Sequence, residues 1–388
     1  MGVCDVNRFT SIIVLLLVLA FLSSPLLVSI AYAAEDSWVS KASMQQARGR
    51  LGVAVVNGKI YAIGGDKGYY FGTAPNNYVY MGRHQFVGTN EEYDPILDKW
   101  TFKTPMPTPR YHFATAVYQN KIYCIGGYAS DGETGVNEVY DPATDTWETK
   151  SPMPTPRLRL DASVVDGKIY LIGGHAVDND YTLNLSEIYD PLTDSWTTQI
   201  VSPPYNFSNE ASAVIDNKIY FLGKESTPLS PYVEALIQIY NPETDSWSVG
   251  GPAPVYTSSA VVVATTGVFA PKRIHVLDED AHHVYDPAND NWTVGVPMPT
   301  SRGYAGIAIV NDTIFVVGGV NLPPDNILIG EMSSSAANEQ YTPVGYIPEF
   351  PSWTILPLLL VATLVAIICK KRLPKNLNNQ QKPFISGD

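Results

Sequence analysis

Four arginines each stand two residues ahead of a polar side chain: Arg48 before Arg50, Arg110 before His112, Arg157 before Arg159, and Arg302 before Tyr304. A guanidinium holds its donors in a planar fork that matches a carboxylate or phosphate, so the recurrence points either to bound anions or to carbonyl groups that need donors. Two further copies, aligned on the turns that follow, carry Phe207 and Thr257 at the first position. The second position then reads Arg50, His112, Arg159, Asn209, Ser259 and Tyr304. A first position shared by four copies reads as structural, with the arginine satisfying carbonyls between repeats. The second is polar in all six and differs between copies, as residues that read a ligand would. Arg50 and Arg159 suggest an anionic group on that ligand; a solvated polar lining is the plain alternative.

Other reactive residues form no such set. His282 and His283 are neighbours, and neighbours on a strand face opposite sides, so they make a poor chelating pair. Cys124, in the apolar run with Ile125 and Gly126, reads as a small core residue. No Ser/His/Asp arrangement, phosphate loop or clustered Cys/His spacing is present, and no metal or cofactor is expected.

The elements that position these residues repeat along the chain. Trp100, Trp147, Trp196, Trp247 and Trp292 each close a short phrase that opens with Tyr93-Asp94-Pro95, Tyr140-Asp141-Pro142, Tyr189-Asp190-Pro191, Tyr240-Asn241-Pro242 or Tyr285-Asp286-Pro287. An Asp-Pro or Asn-Pro step starts a turn and its aromatic flanks favour strands, so each phrase is a strand-turn-strand corner. Upstream lies a two-residue turn that leads into an apolar strand ending in two glycines. Its copies are Asn57-Gly58 to Gly64-Gly65, Asn120-Lys121 to Gly126-Gly127, Asp166-Gly167 to Gly173-Gly174, and Asn311-Asp312 to Gly318-Gly319. In the fourth copy Gly223 precedes Lys224, and the fifth, around Thr266-Gly267, has lost the glycines. Such turns are hairpin signals, so each period encodes four antiparallel strands, a to d. The sixth copy lacks a tryptophan. The segment from Asp36-Ser37-Trp38 to Met44 matches that from Asp145-Thr146-Trp147 to Met153, so the N-terminal strand is expected to serve as strand d of the last repeat and hide both sheet edges.

Paired glycines, then Tyr-Asp-Pro, then Trp at a period near fifty resemble the kelch repeat, over residues 36–344. The resemblance implies an all-β, six-bladed propeller, with a degenerate fifth blade and a sixth closed by the N-terminal strand. In kelch domains that bind acidic peptides, arginines near the second position line the pocket. In a four-strand meander the d–a and b–c connections emerge on one face, the face of the ring, and the long connection 66–90 emerges there too. It carries Tyr69, Tyr70, Phe71, Tyr78, Tyr80, Arg83 and His84; Tyr69, Tyr70 and Arg83 join the candidate binding set, since Tyr-rich loops make adaptable contacts. A cover over the ring is the alternative. A kelch-type copper oxidase would need a reactive Cys and Tyr with convergent His, and these are not seen. The chain is also similar to exported kelch epimerases acting on sialic acids; on that reading a channel arginine holds the carboxylate and Glu210 is a general acid or base.

Composition agrees with an all-β body: 24 Tyr, 29 Gly and 30 Pro stand against only 16% charged residues. Two apolar runs stand apart. The first, within residues 1–33, ends in Ala31-Tyr32-Ala33 and reads as a secretory signal, with an uncut anchor as the alternative; either exports the body. The second, 353–369, follows a Pro-rich stalk at 345–352 and precedes Lys370, Lys371 and Arg372, which place a transmembrane helix with residues 370–388 in the cytoplasm. Pro348-Glu349-Phe350 ahead of that run resembles the C-terminal sorting signals of some archaeal surface proteins. The formal charge of −13 deepens to about −17 for the body once Arg8, five tail bases, Asp5 and Asp388 leave the count, which argues against nucleic-acid partners. Cys124 is alone in that body, so no disulfide is expected within it, and four sequons (Asn184, Asn206, Asn291, Asn311) could take glycans. The expected function is a membrane-anchored, extracellular recognition module for a protein or glycan, with a sugar-acid epimerase or a structural envelope protein as alternatives.

Overall fold

A computed structural model describes residues 34–73, 79–81, 85–176, 181–182, 185–199, 203–204, 211–224, 235–254, 259–279, 281–321 and 331–347. The expected signal, anchor and cytoplasmic tail lie outside these residues, as do Arg83, Phe207, Asn209, Glu210 and Thr257. The chain divides into two units, Met1–Tyr346 and Ile347–Asp388. Among the described residues no helix is long and apolar enough to cross a membrane.

The first unit contains six four-stranded antiparallel sheets, each built in the order a, b, c, d. Blade one comprises Gly52–Val56, Lys59–Ile63, Asn90–Asp94 and Lys99–Lys103; blade two Ala114–Tyr118, Lys121–Ile125, Asn137–Asp141 and Thr146–Lys150. Blade three follows with Asp161–Val165, Lys168–Ile172, Ser186–Asp190 and Ser195–Gln199, and blade four with Ala211–Ile215, Lys218–Lys224, Ala235–Asn241 and Ser246–Ala253. Blade five is Val261–Ala264, Ile274–Asp278, Ala281–Asp286 and Asn291–Val294. Blade six is Gly306–Val310, Thr313–Val317 and Asn338–Thr342, and its strand d is Ser37–Lys41 from the N-terminal side. Each strand a lies beside the next blade's strand a, and that of blade six lies beside that of blade one. The ring is therefore closed, and apolar side chains of adjacent blades pack between the sheets, as Ile125 and Leu160 do between blades two and three.

The recurring phrases act as seams. Tyr93, Tyr140, Tyr189, Tyr240 and Tyr285 each donate a hydroxyl hydrogen bond to the aspartate five residues on, at 2.6–2.7 Å. Asp98, Asp145 and Asp194 also accept an N–H from the preceding blade, from Ala42, Thr104 and Ser151. The indole N–H groups of Trp100, Trp147 and Trp196 donate to the carbonyls of those same three residues. Blade six rebuilds the seam from distant parts of the chain: Tyr341 donates to Asp36 and Trp38 donates to the Val296 carbonyl.

The paired glycines make a second seam. Gly64 has φ +61°, and a Cβ there would sit 2.8 Å from the Arg110 carbonyl of the next blade; Gly65 donates its N–H to that carbonyl at 3.0 Å. Only glycine meets both demands without strain. In blade five Asp278 and Glu279 stand in the glycines' place, with Glu279 at φ +56°. That blade replaces the short a–b turn by a loop wrapped around one carboxylate. Asp312 of blade six accepts N–H groups from Thr266, Val268, Phe269 and Ala270 at 2.6–3.1 Å.

Candidate functional site

The arginines repeated in four blades are buried and structural. Arg157 donates to the carbonyls of Thr155, Leu171 and Gly173 and pairs with Glu187; Arg302 repeats the pattern with Thr300, Val316, Gly318 and Glu339. Arg110 pairs with Glu138 and Arg48 with Glu91. The carbonyls these guanidiniums satisfy belong to their own blade rather than to the gap between blades. The link to the neighbouring blade runs instead through the arginine's main-chain carbonyl. Blades four and five lack the arginine, and the glutamate goes with it: Gln238 and His283 stand two residues before Tyr240 and Tyr285, where Glu91 precedes Tyr93.

Two residues after the arginines the chain turns into strand a, and there the second position lines a cavity of about 250 Å³ at the axis of the ring. Arg50, His112, Arg159, Ser259 and Tyr304 all line it. Arg50, His112, Arg159 and Tyr304 have φ between 52° and 54°, the left-handed region that large side chains seldom occupy. The twist aims the main chain around the axis. Tyr304 donates its N–H to the Ser259 carbonyl, Arg50 to Tyr304, His112 to Arg50 and Arg159 to His112, at 2.9–3.3 Å. Backbone hydrogen bonds thus run from blade to blade around the mouth, a constraint that side-chain alternation alone does not reveal.

The charges at the mouth are less alike than their residue types suggest. Arg50 is paired with the buried Asp66 at 3.0 Å and lies over the Tyr304 ring, 4.8 Å from its centroid. Its charge is offset within the protein. Arg159 is partly exposed and has no ion pair among the described residues, so it is the better-placed cation. Between them His112 meets Tyr304 edge-on and Tyr111 at a tilt, and Tyr111 stacks on Phe86 at 5.2 Å and tilts toward Tyr128 at 5.6 Å. Burial pushes the Tyr111 hydroxyl up to about 12. Ser259 donates to Asp278, whose carboxyl burial raises above the usual range.

The b–c connections reach the same face, where Asp66, Tyr128, His175 and Val320 pair with Gly49, Tyr111, Leu158 and Gly303 at the entries to strand a. The loop 66–90 forms a hairpin, Gly68–Thr73 with Val79–Met81, and its first strand pairs with Glu331–Ser333 of the blade-six connection. Tyr69 and Tyr70 lie on that first strand; Arg83 and Asn209 lie outside the described residues. Cys124 is buried, and burial pushes its thiol up to about 12.

One group in the cavity escaped the sequence reading. Asp161, two residues after Arg159, begins strand a of blade three where the other blades have Gly52, Ala114, Ala211, Val261 and Gly306. Its Oδ2 accepts from the Ser212 N–H and hydroxyl, both at 2.7 Å, and its Oδ1 from the Ala162 N–H at 2.8 Å. The surrounding protein raises its carboxyl above the ordinary range, and these three donors oppose the rise. The available signal was a lone acid at a small or apolar position of an otherwise regular repeat.

His282 does not act with His283. It meets His275, with Nδ1 of His275 and Nε2 of His282 3.0 Å apart. His282 Nδ1 faces the Val296 carbonyl, which only accepts, so that nitrogen carries the proton and Nε2 accepts from His275. The dyad is structural in position, buried against Trp38 and Tyr341. Among the described residues no cluster of three His, Cys, Asp or Glu side chains is arranged to hold a metal.

Six closed blades around a polar-mouthed cavity define a kelch-type β-propeller. The family described as the KLHDC2/KLHL20/DRC7 Kelch-repeats domain matches residues 52–268, more than half of the chain, and the chain belongs to that family. It is 39% identical over 84 residues to the mouse influenza virus NS1A-binding protein homolog, covering 22% of this chain and 11% of that one. It is 36% identical over 95 residues to the human influenza virus NS1A-binding protein (24% and 12%), and 28% identical over 101 residues to human Kelch-like protein 33 (26% and 16%). These matches span about a tenth to a sixth of the relatives' lengths. The solved structure titled "Structure of YjhT" aligns with a TM-score of 0.58 over 77% of this chain and 95% of that one, at 14% identity, a likeness of fold.

Proposed function

We propose that this propeller is a recognition module, held outside the cell by a C-terminal membrane anchor, that reads a protein or glycan ligand at the face of the ring. The observation that carries the reading is the ring itself. Four large side chains of three kinds occupy left-handed positions that glycine would fill at less cost, and backbone strain of this kind gathers where side chains are used. Relatives named for binding NS1A are consistent with a protein ligand. Arg159 is the residue assigned to an anionic group on that ligand, with His112 and Tyr304 lining the same cavity.

An arginine–carboxylate contact in a partly enclosed mouth is worth roughly 1.5–3 kcal/mol, or about ten- to a hundredfold in affinity. The test is to present the full chain to arrays of surface proteins and glycans, then to repeat any saturable binding with Arg159→Ala. A loss of that size with unchanged melting supports the mouth; an unchanged affinity moves the site to the opposite face. Turnover of an acidic sugar by the same preparation would replace recognition with epimerase chemistry. For the anchor, protease added to intact cells should remove the propeller and spare residues 370–388, and cleavage of the tail would reverse the topology.

A further inference from the structure

Asp161 has no arginine, lysine or histidine within ion-pairing distance among the described residues. A partly buried carboxylate on a cavity wall without a counter-charge is costly; it either takes up a proton or meets a cation. The strand does not need it, since five other blades begin strand a with Gly, Ala or Val. Nor does the Ser212 N–H need a charge, because a neutral amide oxygen would accept from it equally. The cavity that Asp161 lines joins polar groups to an apolar wall: Val53, Ala162, Val262 and Ile307 share it with His112, Ser259 and Tyr304. The cavity opens at the mouth beside Arg159, and the strongly acidic body raises the local concentration of cations.

We propose that the cavity receives an alkylammonium group, its aliphatic stem against Val53, Ala162, Val262 and Ile307 and its nitrogen on Asp161. A lysine side chain of a bound protein and a free aliphatic amine share this chemistry. The assignment rests on the mouth being the recognition face and adds a second, oppositely charged contact further in: Arg159 takes the ligand's anionic group and Asp161 its ammonium. Asp161 is then a specificity residue, because an uncharged stem of the same length leaves the carboxylate unpaired.

Isothermal titration of the full chain with n-butylamine hydrochloride and with n-butanol, at pH 7, tests the charge requirement. The amine should bind at least tenfold more tightly than the alcohol. Asp161→Asn should abolish that difference while leaving the melting temperature equal or higher. On wild-type protein the amine's advantage should also fade as pH is lowered through the Asp161 titration, a reading independent of any variant's folding. A capped Gly-Lys-Gly peptide binding more tightly than butylamine, with its Nε-acetylated form inactive, identifies a protein side chain as the source; the reverse order identifies a free amine. Equal binding of amine and alcohol, no saturable amine binding, or amine binding that survives Asp161→Asn would overturn the assignment. Loss of ligand recognition in Arg159→Ala with intact amine selectivity separates the two halves of the site. So does the converse.

Discussion

Arg157 and Arg159 belong to one strand entry and bear the same charge, yet their surroundings assign them opposite duties. Arg157 is wholly buried, gives donors to three carbonyls and faces Glu187, so truncating it strands a carboxylate in the interior. Breaking a buried pair from one side costs about 3–5 kcal/mol, and Arg157→Ala should lower the melting temperature by many degrees. Arg159 has its strain in the backbone, at φ +54°, and no ion pair among the described residues to lose. Arg159→Gly should therefore keep or raise stability, by up to about 1 kcal/mol, because glycine enters the left-handed region freely. Calorimetry on the two variants checks the contrast. A large destabilisation by Arg159→Gly would mean that the ring side chains hold the mouth together and are not free to serve a ligand.

At the scale of the blade, most of the architecture was legible because it is periodic. Turn, glycine pair, Tyr-Asp-Pro and Trp recur in phase, and the orphan Trp38 phrase could be matched to the copy that lacked one. The seam aspartates were harder to see. Asp98 and its equivalents lie in the middle of the phrase and reveal their role only through a partner on another blade. Blade five was least legible, since its loop is shaped by Asp312, more than forty residues further on. The same holds for the site: the ring positions follow from alignment, whereas the Asp66 partner of Arg50 and the isolation of Asp161 depend on three-dimensional neighbours. The Asp312 contact is itself testable. Four N–H donors hold its carboxyl below the usual carboxylate range despite burial, so Asp312→Ala should remove about 3 kcal/mol or more at neutral pH. Proteolysis should then cut first within residues 265–273, and an unchanged cleavage pattern would show that the loop stands without its carboxylate.

For the molecule as a whole, stability is gathered at the place where the ring closes. Ser37–Lys41 pairs along its length with Asn338–Thr342, and Trp38 and Asp36 supply the seam to blade five, so deleting residues 37–41 should abolish the cooperative melt. The same seam contains the His275–His282 dyad, packed on Trp38 and Tyr341, with Asp36, Arg273, His283 and Asp312 as the charged or titratable groups near it. Burial holds His275 at about 3 and His282 at about 4, and each imidazole opposes protonation of its partner or neighbour. A histidine depressed in the folded state contributes stability that is complete above its unfolded value near 6.5 and is lost as pH falls toward the folded value. Each imidazole should thus cost the protein about 1.4 kcal/mol per pH unit below 6.5. Denaturant midpoints measured between pH 7.5 and 5 would isolate this slope, since most carboxylates titrate lower. The equivalent positions in blade six are Phe315 and Asn338, and Asn338 donates to the Ala42 carbonyl as His282 does to Val296. The double variant His275→Phe/His282→Asn copies that solution without ionisable groups, and it should flatten the pH dependence while preserving the fold. If the slope between pH 6.5 and 5 is the same in the variant and the parent, acid sensitivity arises elsewhere and the dyad is neutral packing.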